Sequence, residues 1–261
     1  MNTTLRSLLA VGILLSVGGT YQPPLLSDPS LRENTQPVRE RDPARAILYL
    51  GRGNALVGEG KFAAAVEQFR RAAAYDPLNV NIYVNLGYVL DRLGRYEQAL
   101  AELAQAQQLD PQNVTVYLNT GNSYINLKKF TEALAPLQRA AELAPSNHLA
   151  HVNRAVALRA LGQHAAAAES FGIASELEPA NPALVFNWAL SLSQAGDNAA
   201  AIEKYQRVIT LAPDHLPAYL NCAILLEKEN RRPEAITTLK AALPIAPGDE
   251  TLRELLGRLE K

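Results

Sequence analysis

The sequence predicts an all-α solenoid of helix–turn–helix repeats, on three observations. Prolines recur at Pro77, Pro111, Pro145, Pro179, Pro213 and Pro247, each 34 residues after the last. A fixed period of this length marks a repeat array, and 34 residues make one helix–turn–helix unit. Alanine stands at one place in every period, at Ala65, Ala99, Ala133, Ala167, Ala201 and Ala235, and columns of small and large apolar residues flank it.

With the proline set as position 32, six repeats run 46–79, 80–113, 114–147, 148–181, 182–215 and 216–249 without gaps. Position 8 is Gly53, Gly87, Gly121, Ala155, Ala189 and Ala223, whereas position 24 is Phe69, Leu103, Leu137, Phe171, Tyr205 and Leu239. Two helices approach closely only where one presents Gly or Ala and the other fills the gap. Position 15 is Gly60, Gly94, Gly162 and Gly196, where a left-handed residue ends the first helix; Lys128 and Asn230 stand there in repeats three and six. Position 4 is Tyr49, Tyr83, Tyr117 and Tyr219, with His151 and Val185 as exceptions. The proline stops the second helix, because the residue before it is driven out of the helical region. Pro136 falls inside a second helix, five residues after Thr131, which is expected to cap it, and removes one backbone bond.

Residues 250–261 predict a terminal capping helix. Leu252, Leu255, Leu256 and Leu259 form one apolar stripe. Either Thr251 with Glu254, as a capping box, or Asp249 starts that helix. An array needs such an end to cover its last stacking face.

In these columns the chain resembles the tetratricopeptide repeat family. Repeat two carries the signature best, with Tyr83, Leu86, Gly87, Leu90, Ala99, Leu103, Ala106 and Pro111 in phase, and the resemblance covers 46–249. It implies antiparallel helix pairs stacked into a right-handed α-superhelix whose concave face is lined mainly by first helices. It also implies that position 6 faces that groove.

The ends read differently. Residues 1–20 have one basic residue, a short apolar run over Leu8–Val17 and small residues Val17 and Gly19, the layout of a secretory signal peptide. The alternative is an uncleaved N-terminal anchor, attaching the protein to a membrane through residues 5–19. Both place the array outside the cytoplasm, periplasmic, extracellular or membrane-anchored facing outward. Residues 21–45, with Pro23, Pro24, Pro29, Pro37 and Pro43, read as an extended linker or disordered segment.

The 25 basic and 26 acidic residues leave a net charge of −1 and form no basic stripe, which disfavours nucleic acid. The one cysteine, Cys222, cannot form an internal disulfide and reads as a small apolar residue. His148 and His151 lie three apart on one helix and His164 at the following turn, yet His151 and His164 stand in aromatic columns and no further ligands complete a metal site, so packing is the better reading. Trp188 reads as a core or groove-edge residue. No catalytic constellation and no cofactor site emerge.

The strongest candidate site is a column of asparagines at position 6: Asn85, Asn119, Asn153, Asn187 and Asn221. An amide both donates and accepts, so a row of them can pair with the main chain of an extended peptide. The peptide-binding superhelix of the eukaryotic O-GlcNAc transferase is similar in this respect. The other reading is that the column orients neighbouring repeats. Around it stand apolar and neutral residues, among them Val84, Leu118, Val152, Phe186 and Leu220, with no carboxylate clamp for charged tails. The expected function is therefore a non-catalytic scaffold that binds a partner polypeptide in the groove, in assembly of an envelope or secretory complex. The alternatives are an accessory subunit or fragment related to repeat-containing glycosyltransferases, and a self-associating structural protein.

Overall fold

A computed structural model describes residues 41–261. Among them α1 (Pro43–Gly58) is followed by α2 (Phe62–Tyr75), α3 (Val80–Arg92) by α4 (Tyr96–Leu109), and α5 (Val114–Asn126) by α6 (Phe130–Leu143). The pattern continues with α7 (His148–Ala160) and α8 (His164–Leu177), α9 (Pro182–Ala195) and α10 (Asn198–Leu211), and α11 (Leu216–Lys228) and α12 (Arg232–Ala242). A last helix, α13 (Glu250–Leu259), closes the series, and no strand occurs among the described residues. Each helix packs on its neighbours in sequence, giving an all-α superhelical repeat. The expectations for residues 1–20 and for most of the 21–45 linker lie outside the described residues. α1 starts at Pro43, before the repeat frame, because Asp42 caps it and accepts from the Arg45 amide at 3.0 Å.

The columns explain the packing. A Cβ on Gly53, Gly87 or Gly121 would lie 2.3, 2.6 or 2.4 Å from Phe69, Leu103 or Leu137, so each partner fills the space a side chain there would take. The six column alanines are fully buried. Leu103, Leu137 and Leu239 are buried beside them, each contributing about 1.5–3 kcal/mol relative to exposure. At position 15 all six residues are left-handed, including Lys128 (φ 59°) and Asn230 (φ 61°). Before the prolines, Asp76, Asp110, Ala144 and Ala212 are extended, with φ between −139° and −141°, and the second helices stop there.

The structure shows three local features that the columns alone did not predict. Position 34 caps the next first helix: Asn79, Asn113, Asn147 and Asn181 each accept from a backbone amide two residues on, and His215 and Asp249 take the same place. Asp249 therefore starts α13, not a box built on Thr251. Thr131 lies inside α6, whose cap is Lys129, and the helix runs on through Pro136. Pro244 ends α12 early, at 11 residues.

The aromatic column proves to be polar at its tip. Tyr83, Tyr117 and Tyr219 donate their hydroxyls to the carbonyls of Pro77, Pro111 and Pro213 at 2.9–3.0 Å, pinning each first helix to the preceding turn. His151 Nε2 sits 3.1 Å from the Pro145 carbonyl and does the same work. A carbonyl only accepts, so Nε2 carries the proton. α13 buries Leu252, Leu255, Leu256 and Leu259 in one cluster with Leu226 and Leu239. Cys222 is fully buried there, and burial pushes its thiol up to about 11.

Candidate functional site: the asparagine face

The first helices present two opposite faces. At about 100° per residue, positions 4, 7, 8 and 11 fall together and turn inward, while positions 2, 5, 6, 9, 12 and 13 form the other stripe. In α3 the inward set is Tyr83, Leu86, Gly87 and Leu90, of which the last three are buried and Tyr83 half-buried. The asparagine column lies on the other stripe, and all five members are half-buried.

The five asparagines do not act alike. Asn85 Nδ2 donates to Asn54 Oδ1 at 3.0 Å, joining α3 to α1. Asn187 accepts from Arg159 Nη1 at 2.8 Å, joining α9 to α7, and donates to the Ala183 carbonyl at 2.8 Å. Asn221 donates to the Tyr205 hydroxyl at 3.3 Å. Among the described residues, the Asn119 and Asn153 amides make no hydrogen bond. The column is thus divided: Asn85, Asn187 and Asn221 bond within the array, and Asn119 on α5 and Asn153 on α7 do not.

A second set of polar ties crosses the same face from position 12. The Asp91 carboxylate on α3 accepts from Ser123 Oγ at 2.8 Å and from the Asn122 and Asn126 amides on α5. Arg159 bridges to Asn187, with its guanidinium 5.3 Å from the Phe171 ring and held below its ordinary pKa by burial. Glu227 meets Arg258 of α13 at 2.5 Å. Asp91, which anchors Asn122 and Asn126, was not singled out from the sequence, nor was the tie of Arg159 to Asn187. The signal was present as a charged position 12 in alternate repeats: Asp91, Arg159 and Glu227.

Between these ties the face is apolar. Ile47, Tyr88, Leu149 and Ile224 at positions 2 and 9 are exposed, and Leu118, Val152, Val156 and Phe186 are half-buried. The arrangement offers hydrogen-bonding amides over an apolar floor, with no nucleophile paired to a base. Among the described residues no group of three or more His, Cys, Asp or Glu is placed to hold a metal, and no helix is long and apolar enough to cross a membrane.

Comparison with known proteins agrees with this geometry. The chain superposes on YrrB, a TPR protein with an unusual peptide-binding site, with a TM-score of 0.65 and 23% identity over 72% of this chain and 97% of YrrB. PilF of Pseudomonas aeruginosa gives 0.63 and 20% over 84% of this chain and 98% of that one. MamA from Desulfovibrio magneticus RS-1 gives 0.61 and 19% over 66% and 97%. No curated protein matches the sequence significantly. The tetratricopeptide repeat family matches over residues 39–114 and 118–182, and a second model of the same family matches 192–259. With most of its length matched and its helices paired in the family's manner, this chain belongs to the tetratricopeptide repeat family.

Proposed function

We propose that this protein is a non-catalytic scaffold that holds an extended stretch of a partner polypeptide against α5 and α7, as part of an assembly at the cell envelope. One observation carries the reading: the Asn119 and Asn153 amides are solvent-reachable, unpaired among the described residues, and set above an apolar floor. An amide pair one repeat apart can take the donor and acceptor of a main chain, and Leu118, Val152 and Val156 suit apolar side chains between them. A peptide-binding site in YrrB, a protein of like fold, is in keeping with this use. The envelope setting is supported by the signal-like pattern of residues 1–20.

The test compares the intact array with an Asn119→Ala/Asn153→Ala variant in photo-crosslinked capture from envelope extract. The expected result is one partner crosslinked to α5 or α7 and lost in the variant, while helicity is unchanged. Retention of that partner by a folded variant sinks the reading.

A further inference from the structure

α9 carries a second surface on its other side. Trp188, Leu192 and Ala195, at positions 7, 11 and 14, lie opposite the groove-face stripe of Ala183, Phe186, Leu190 and Ser193. With α8 they border an open groove of about 720 Å³.

The groove comes from departures in three columns. Position 21 is Val66, Leu100, Leu134, Ile202 and Ile236 in the other repeats, and Ala168 here. Position 25 is Arg70, Ala104, Gln138, Gln206 and Lys240 elsewhere, and Gly172 here. Two side chains are thus cut back beside the one tryptophan in the sequence. A Cβ at Gly172 would lie 3.2 Å from Trp188 Cε2, so the indole rests against the α8 backbone. Lys204 Nζ stands 4.5 Å from the indole centroid. Ile173, 41% exposed, forms an apolar wall.

The charged residues that line the groove are carboxylates, and the cation beside the indole, Lys204, is paired with Glu203 at 2.7 Å. Glu169, Glu176 and Asp197 border the groove. Glu169 and Glu176 are exposed and have no ion-pair partner among the described residues, while Asp197 caps α10 through the Ala200 amide. An apolar trough ringed by carboxylates complements a segment that is apolar on one side and basic on the other.

We propose that this groove is a second docking site, separate from the asparagine face, for a basic amphipathic segment of a partner polypeptide. An apolar side chain packs on Trp188 between Ala168 and Ile173, and flanking Lys or Arg side chains pair with Glu169 and Glu176. The site stands or falls independently of the asparagine column.

Trp188 is the sequence's one tryptophan, so its emission reports on the groove directly. The probe is a synthetic helical peptide of leucine and lysine, with a leucine–glutamate peptide of the same pattern as control. The lysine peptide is expected to shift Trp188 emission saturably, and the glutamate peptide to leave it unchanged. Ile173→Lys, at an exposed position, and Ala168→Leu, which restores the column residue, each weaken binding at least tenfold. Asn119→Ala/Asn153→Ala leaves it unchanged. Equal affinity of Ile173→Lys, equal response to the glutamate peptide, no response to either, or loss only in the asparagine variant overturns the proposal. Should Ala168→Leu fail to fold, the Ile173→Lys comparison decides.

Discussion

The Arg159 guanidinium on α7 donates to the Asn187 carboxamide on α9 at 2.8 Å, so this asparagine is already engaged inside the molecule, while Asn153, one repeat earlier, is not. The two residues share a column and differ in consequence. Asn187→Ala leaves a partly buried cationic donor without its acceptor, a loss of about 1–3 kcal/mol. Asn153→Ala removes no bond and places a better helix former, so its stability should hold or rise by a few tenths, on the order of 0.5 kcal/mol. Thermal melts of the two single variants check this; equal losses would mean that Asn153 also holds the repeats together.

Glycine at position 8 of repeats one to three stands in close contact with the second helix, and a comparison within α1 and α5 isolates this. Gly121→Ala places a Cβ 2.4 Å from Leu137 and should destabilise by about 1–3 kcal/mol. Gly51→Ala, on the same kind of helix but with nothing within 4 Å, should stabilise by about 0.5–1 kcal/mol. Chemical denaturation gives both values, and the opposite order would remove the close-approach argument.

At position 15 the left-handed backbone strains Lys128 more than Asn230, because an asparagine tolerates that region. Lys128→Gly should raise stability by up to about 1 kcal/mol, and Asn230→Gly by less. A drop in melting temperature for Lys128→Gly would show that its side chain earns more than the strain it bears.

Cys222 sets a pH dependence. Burial raises its thiol from an ordinary 9.0 to about 11, so the folded state keeps its proton where the unfolded state loses it. Its contribution is full below the unfolded value and is lost as pH rises through the window between 9.0 and about 11. The wild type should lose stability there more steeply than Cys222→Ala. In native buffer at neutral pH, alkylation of the thiol should proceed at the rate of opening and not at that of a free thiol; rapid labelling of the folded protein would contradict the burial.

Removing 250–261 uncovers Leu226, Leu239 and their neighbours, a contiguous apolar face that α13 otherwise covers. The truncated chain should melt lower and associate in light scattering. A monomer of unchanged stability would mean that α13 is an appendage.

The repeat order was legible because each column answers one packing demand. Glycine faces Leu137, proline follows an extended residue, and Lys128 is recognisable as a left-handed position only because four other repeats carry glycine there. What the columns did not disclose is what depends on a partner in another repeat. Nothing about Asn187 alone distinguishes it from Asn153; the difference lies in Arg159, one repeat back. The Trp188 groove was hidden for a similar reason. Gly172 and Trp188 each register as an isolated oddity, and only their contact reveals a cut-back surface. The position-34 caps were missed, although Asn before a first helix is a local signal.

The ties across the asparagine face occupy the place where the proposed guest would lie. A guest that takes the Asn187 oxygen must first release Arg159, and one that recruits Asn126 must draw it from Asp91. Each such exchange unfastens one coil from the next. Occupancy and fastening therefore draw on the same hydrogen-bonding groups: a guest on these residues would take its amides from the ties between repeats.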